Sequence, residues 1–278
     1  MTKIIVTHAN PDLDAICSVW LFKKFDQDFS QAKVCFVVAG ETYKDQVVDS
    51  DDNIIHVDTG MGRFDHHQLT RKTCAALLVF NYLKSKRKDL KNNQALVRLI
   101  KVVKQVDHFD NCLWSDPDAD LYSFFLEDIL DGLKTAGKLD DQGLIEFGSQ
   151  CFDGIYTALK IKIKAEEDLA QGYQFKTKWG KAIGCLSHNN EVLKLGQKMG
   201  YTLVVQKDSQ TEHVRIKARP DSLVDLSKTY EKLKQLDSQA TWFLHISKKM
   251  LLNGSSKNFK MKPSRLSLKK IIDVLEEK

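Results

Sequence analysis

Lys3-Ile4-Ile5-Val6-Thr7-His8-Ala9-Asn10-Pro11-Asp12-Leu13-Asp14 reads as a strand that ends in a polar loop and hands over to a helix. Residues 3–7 form a short β-branched run without polar alternation, the pattern of a strand buried in a parallel sheet. From Asp12 the period changes. Ala15, Ile16, Val19, Trp20 and Phe22 recur at helical spacing. Two more strand-like runs follow, at 33–38 and 54–57. Strand, helix, strand in this order predicts parallel βαβ units with right-handed crossovers. The expectation is an α/β protein whose first domain is a parallel sheet with helices on both faces.

In an open parallel sheet the carboxyl ends of the strands form the crevice where ligands bind. Four pieces of sequence put a His or an Asp at a predicted strand end or helix end. The first is His8 to Asp14, where Pro11 precedes the helix and Asp12 and Asp14 fall on its first turn. The helix dipole there favours anions. A helix cap alone would account for Asp12, but a cap needs neither His8 nor a second Asp. The second piece is Asp58, in Val57-Asp58-Thr59-Gly60, which by itself reads as a turn residue. The third is Asp65-His66-His67, after Gly60-Met61-Gly62. The fourth is Asp107 or Asp110, in Val106-Asp107-His108-Phe109-Asp110, at the end of a helix. Each piece is a weak signal. Together they supply imidazoles and carboxylates of the kind that suits a borderline divalent metal such as Mn²⁺. The set is large enough for two ions sharing a carboxylate, which would activate a hydroxide and neutralise charge on an attacked phosphate.

These motifs, in this order, resemble the DHH phosphoesterases, a family that includes RecJ-type exonucleases, oligoribonucleases, cyclic-dinucleotide phosphodiesterases and manganese pyrophosphatases. The resemblance implies that His8 and Asp12 hold one metal, and that Asp14 and His66 hold the other. Asp58 and Asp107 would stand between the two. Asp65 would orient an imidazole, and His67 would meet the substrate phosphate or the leaving oxygen. Val57 to Gln68 is most similar to the melanocyte-proliferating-gene branch of RNA exonucleases, whereas the His8–Asp14 loop is similar to the family at large. Gln68 departs from the Arg that follows the two His in many DHH enzymes. Arg71 or Lys72 would then supply the phosphate-binding cation.

The pattern changes after Gly172. Helices are expected at 73–84, 93–106, 120–134 and 141–170. Strands are expected at 173–178, 182–186, 202–206 and 212–218, with helices at 190–199 and 222–235. The domains expected are 1–135, a DHH catalytic domain; 136–171, a helical linker; and 172–278, a smaller α/β DHH-associated domain. In the family that second domain grips substrate. Val214-Arg215-Ile216-Lys217-Ala218-Arg219-Pro220 and the turn Asn253-Gly254-Ser255-Ser256 are its counterparts here, and Arg219 and Ser255 are the candidate phosphate contacts. The family's glycine run and His at that turn are missing. His188 and His245 read as core or cap residues.

The bulk composition agrees with a folded globular chain. Of 278 residues, 42% are hydrophobic and 28% charged, which argues against disorder. No apolar run reaches the roughly 18 residues of a membrane span, and the apolar start is too short for a signal peptide. The six cysteines stand singly, with no CxxC pair, as expected of a reduced, cytoplasmic protein. Net charge is +5, a mild bias toward polyanions. Part of it sits in a basic run near the C-terminus that includes Lys248, Lys249, Lys257 and Lys270, which reads equally well as a solvated face.

The resulting expectation is a hydrolase of phosphodiester bonds in short oligonucleotides, RNA ends or nucleotides, using two Mn²⁺ ions, with Mg²⁺ or Co²⁺ as alternatives. Single-stranded RNA or DNA is the expected polymer partner, no membrane partner is expected, and a homodimer is compatible with the reading. The competing readings are a small-molecule phosphatase or pyrophosphatase on the same scaffold, and a non-catalytic metal-binding protein that holds nucleic acid.

Overall fold

A computed structural model describes residues 2–255 and 258–276. Ser256 of the small-residue turn and Lys257 of the basic run lie outside the described residues. The chain forms two compact units, residues 1–159 and 160–278. The division falls inside a long helix, where the sequence reading set a helical linker over 136–171.

The first unit contains three parallel strands, β1 (Ile4–His8), β2 (Lys33–Val37) and β3 (Ile54–His56), in the order β2-β1-β3. Ile4 stands opposite both Lys33 and Ile54. The chain leaves β1 toward one neighbour and then crosses to the other side. The switch in direction therefore falls between β1 and β3, the place where open sheets open a crevice. His8 is the last residue of β1, and Asp58 follows β3 after Val57, whose N–H donates to Val6 O at 2.9 Å.

Helix α1 (Leu13–Phe25) leaves that crevice. Every residue from Asp14 to Phe22 is buried, so α1 is a central helix rather than an amphipathic surface one. Around it pack α2 (Ala75–Lys86), α3 (Gln94–Asp107), α4 (Leu126–Thr135) and the start of α5 (Asp141–Ala170). Trp20 stacks on Phe152 at 5.4 Å, and its indole N–H donates to Asp153 at 3.0 Å. Ile5, Ile16, Phe22, Ile55, Phe80, Leu96 and Phe152 are fully buried in this core. Each such side chain contributes about 1.5–3 kcal/mol relative to exposure. The helix expected over 120–134 is divided. Asp120–Phe124 is a 3₁₀ turn, Phe125 is extended, and α4 begins at Leu126.

The second unit has six strands: β4 (Tyr173–Thr177), β5 (Gly180–Leu186), β6 (Leu203–Lys207), β7 (Val214–Ala218), β8 (Phe243–Leu244) and β9 (Met250–Asn253). Their order is β4-β5-β6-β7-β9-β8. Only β5 and β6 run parallel, joined through α6 (Glu191–Lys198). Helix α7 (Ser227–Leu236) starts five residues later than expected, because Val224 and Leu226 are core residues before it. The basic run hides a helix that charge alone did not reveal, α8 (Leu268–Glu276). Its Ile271, Ile272, Val274 and Leu275 are buried while Lys269 and Lys270 stay exposed. The chain is thus a mixed α/β protein, as expected. None of its described helices is long and apolar enough to cross a membrane.

Candidate metal centre

The loop after β1 and the loop after β3 bring the first three sequence motifs together. Asp12 caps α1, its carboxylate accepting the Asp14 and Ala15 N–H groups at 3.0 Å each. The capping reading is therefore correct, and the second carboxylate oxygen stays free of that duty. Asp14 points the other way. It is buried, and it accepts the N–H groups of Ala75 and Ala76, at the start of α2, at 2.6 and 2.9 Å. Two orphan donors of one helix are thus satisfied from another.

Asp58 sits with φ +57°, a left-handed conformation uncommon for a side-chain-bearing residue. The turn that follows is tight. A Cβ on Gly62 would stand 2.5 Å from Val48 Cγ2, so any larger residue would have to displace the Val48 side chain. Buried Asp65 holds the turn closed by accepting the Met61 and His67 N–H groups at 2.8 and 3.1 Å. Gln68, where many DHH enzymes carry Arg, donates to the carbonyls of Met61, Gly62 and Asp65 at 3.0–3.3 Å. Its role in this chain is to fasten the loop.

Three imidazoles, those of His8, His66 and His67, come within 4 Å of Asp58. Its Oδ2 lies 3.5 Å from His8 Nε2, and its Oδ1 lies 3.3 Å from His66 Nε2. His8 Nε2 is also 3.9 Å from Asp12, and His66 Nε2 is 3.5 Å from Asp107 and 3.8 Å from Asp14. Three groups thereby form, each with ligand atoms within 4.8 Å of one another: His8, Asp12 and Asp58; Asp14, His66 and Asp107; and Asp58, His66 and His67. His67 Nδ1 lies 2.7 Å from Asp65, while the residue as a whole is exposed. Asp107 faces the cluster, whereas Asp110 is tied to Lys72 at 2.6 and 2.7 Å. That pair occupies Lys72. Arg71 is exposed. In the second unit, Arg219 is paired with Asp221 at 2.6–2.9 Å, and Ser255 forms a bridge with Asn258.

The electrostatics of the cluster are those of too many carboxylates in too little water. Burial, reinforced by Asp58 and Asp107, pushes Asp14 well above the usual carboxylate range. Asp12 and Asp107 are raised as well, chiefly by burial. Burial acts upward on Asp58 too, but His66 and His8 outweigh it and hold that group down to about 2. The Asp58 carboxylate lifts His66 to about 9, and His8 reaches about 9 despite its burial, through Asp58, the Ala9 carbonyl and Asp12. Even so, Asp58 Oδ1, His66 Nε2 and Asp107 Oδ2 are buried atoms without an aligned hydrogen-bond partner. Buried polar groups are normally satisfied, and Asp58 Oδ1 and His66 Nε2, orphaned 3.3 Å apart, fit a cation that accepts both.

Sequence reasoning missed His108. Its Nε2 lies 3.6 Å from Asp107 Oδ2 and 2.8 Å from the Thr73 carbonyl, so it steadies Asp107. The only signal was its place beside Asp107 at a helix end.

A protein-family model described as ChrB, C-terminal domain, matches residues 5–159, more than half of the chain and all four motif pieces. The chain belongs to that family. This is not the DHH family that the motif order resembles. A solved DHH domain, from a member of a family of ribosomal proteins, is similar to this chain at 10% identity, over 99% of this chain and 85% of that one. Its TM-score is 0.32, too low for it to bear on the fold. No curated protein matches the sequence.

Proposed function

We propose that the first unit is a divalent-metal-dependent phosphoesterase, acting on phosphodiester bonds of short oligonucleotides or nucleotides. The observation that carries this reading is the pair of buried, unpartnered atoms Asp58 Oδ1 and His66 Nε2, 3.3 Å apart within the overlapping His–Asp groups. His8, Asp12 and Asp58 would hold one ion, and Asp14, His66 and Asp107 the other, with Asp58 facing both. The oxygen-rich, imidazole-containing set suits Mn²⁺, with Mg²⁺ or Co²⁺ as substitutes. Such a pair of ions, when bound, polarises a phosphoryl oxygen and provides a nucleophile at neutral pH.

The remaining work falls to the chain's own side chains. Asp65 fixes the ring of His67 by accepting from Nδ1, so that in the imidazolium form Nε2–H would give its proton to the leaving oxygen and the ring would end neutral. Arg71, exposed beyond the turn, would supply the cation for a phosphate. Arg219 would need to exchange its Asp221 partner to do the same, and Ser255 could offer only a hydroxyl.

The test is hydrolysis by the metal-stripped full chain with Mn²⁺ restored, run in parallel on a short RNA, a cyclic dinucleotide and pyrophosphate. The reading expects Mn²⁺-dependent cleavage that Asp58→Ala abolishes while circular dichroism stays unchanged. Turnover of pyrophosphate alone would favour the small-molecule alternative. Full activity in Asp58→Ala would refute the metal reading.

A further inference from the structure

A cavity of about 190 Å³ opens beside the cluster, its lining made up of apolar residues that include Leu13, Phe109 and Leu130 and of the carboxyl side chains of Glu127, Asp131 and three cluster members. Pockets for whole drug-sized ligands measure ~300–1,000 Å³, so this one takes a single ring-sized group. Its chemistry is one-sided. Every polar side chain that lines it is a carboxyl, and Glu127 Oε2 accepts from Asn111 Nδ2 at 3.3 Å, which leaves Oε1 for a ligand. Glu127 and Asp131 stand one turn apart on α4 and so share a face. At the mouth is Phe109, 78% exposed. Its backbone is left-handed (φ +55°), which costs an aromatic residue strain. The strain is held by its N–H, which donates to Val106 O at 2.8 Å, and by the Lys72–Asp110 pair one residue on. A large apolar ring kept in water by a strained backbone, beside a ring-sized cavity, is a stacking platform.

We propose that this cavity is a subsite for an amino-bearing nucleobase, stacked on Phe109 with its exocyclic amine donating to Glu127. The subsite rests on the phosphoesterase reading above, and it adds the part of the substrate that the metal centre does not contact. Carboxylates repel a phosphate, so Glu127 and Asp131 turn the phosphate toward the metal centre and the base toward themselves. Uracil presents a carbonyl where cytosine presents an amine, and that carbonyl would face a carboxylate.

Calorimetric titration of the full chain with Mg²⁺ present tests this, using AMP, CMP, UMP and ribose 5-phosphate as probes. AMP and CMP should bind at least tenfold more tightly than UMP and ribose 5-phosphate. Phe109→Ala should weaken AMP by about 5- to 150-fold, the range for loss of a base–aromatic stack, and leave ribose 5-phosphate unchanged. Phe109→Leu should recover only part of that loss. Glu127→Gln should erase the preference for CMP over UMP. Equal binding of all four probes, or equal losses across them in Phe109→Ala, would overturn the subsite while leaving the metal centre standing. Base-selective binding without any hydrolysis would uphold the subsite and sink the phosphoesterase reading. If no probe binds at all, the subsite falls.

Discussion

Asp58→Asn is the substitution on which the electrostatic account is most exposed. The change is nearly isosteric. Asp58 Oδ1 makes no aligned hydrogen bond, and the backbone N–H of residue 58 donates to Phe64 O at 3.0 Å regardless of the side chain. The fold should therefore survive. Metal binding should not, because Asp58 belongs to two of the three ligand groups. An ion present at a hundredfold excess over its Kd stabilises the native state by ~2.7 kcal/mol. For a unit of this size each kcal/mol moves Tm by ~2–4 °C, so wild type should gain about 5–11 °C on adding Mn²⁺. Asp58→Asn should gain less than about 1 °C by the same scale. The metal-free comparison has its own pH signature. His8 and His66 are raised to about 9 by partners that include Asp58, so their contribution to stability is fully present below the unfolded value of ~6.5. It is lost as pH rises through about 9. In chelator, Asp58→Asn should accordingly cost most at pH 6 and least at pH 10. The assay is differential scanning calorimetry of both proteins, with and without Mn²⁺, at pH 6, 7.5 and 10. A wild-type-sized Mn²⁺ shift in Asp58→Asn would refute the reasoning.

Asp65→Asn should keep Mn²⁺ binding but lower turnover by about 10- to 100-fold, the usual cost of losing the partner that orients a functional imidazole; unchanged kcat would remove Asp65 from the mechanism. Gly184→Ala should destabilise the second unit by ~1–3 kcal/mol by overpacking, since the new Cβ would stand 2.7 Å from Ile272 Cδ1 on α8. A urea midpoint equal to wild type would contradict that packing. Asp208 accepts the Gln210 and Thr211 N–H groups and contacts His188 at 2.6 Å, and despite burial these bonds hold it down to about 2. A depressed carboxylate contributes stability above its unfolded value of ~3.9 and loses it as pH falls through about 2. Asp208→Ala should thus be destabilising at pH 7 and nearly neutral near pH 2, checked by melts across that range.

Much of this arrangement was legible in the sequence because it rests on short-range rules. The strand at 3–7, the period change at Asp12 and the two later strands place His8 and Asp58 at neighbouring strand ends, and β1, α1 and β3 follow them closely. The acidic and imidazole residues of four separate stretches of sequence then needed only one crevice to meet in. What stayed hidden depends on three-dimensional packing. Phe125 breaks a helix whose apolar spacing looked continuous, in a segment where Tyr122 stacks on Phe125 and donates its hydroxyl to Ser115 O. Helix α8 was masked because its lysines dominate the charge count while Ile271, Ile272, Val274 and Leu275 carry the packing. Gln68 looked like a lost phosphate contact, and only the three carbonyls around its amide reveal it as a loop clasp. His108 gains its meaning from Thr73, thirty-five residues away.

The claim beneath all of this is that residues from the loops after β1 and β3 and from α1 and α3 share cations around Asp58. Crystals of the full chain grown or soaked with Mn²⁺ and recorded at the manganese absorption edge examine it directly. Two anomalous peaks should appear, one among His8, Asp12 and Asp58 and one among Asp14, His66 and Asp107. Density free of anomalous signal at Asp58, at saturating Mn²⁺, would contradict the account.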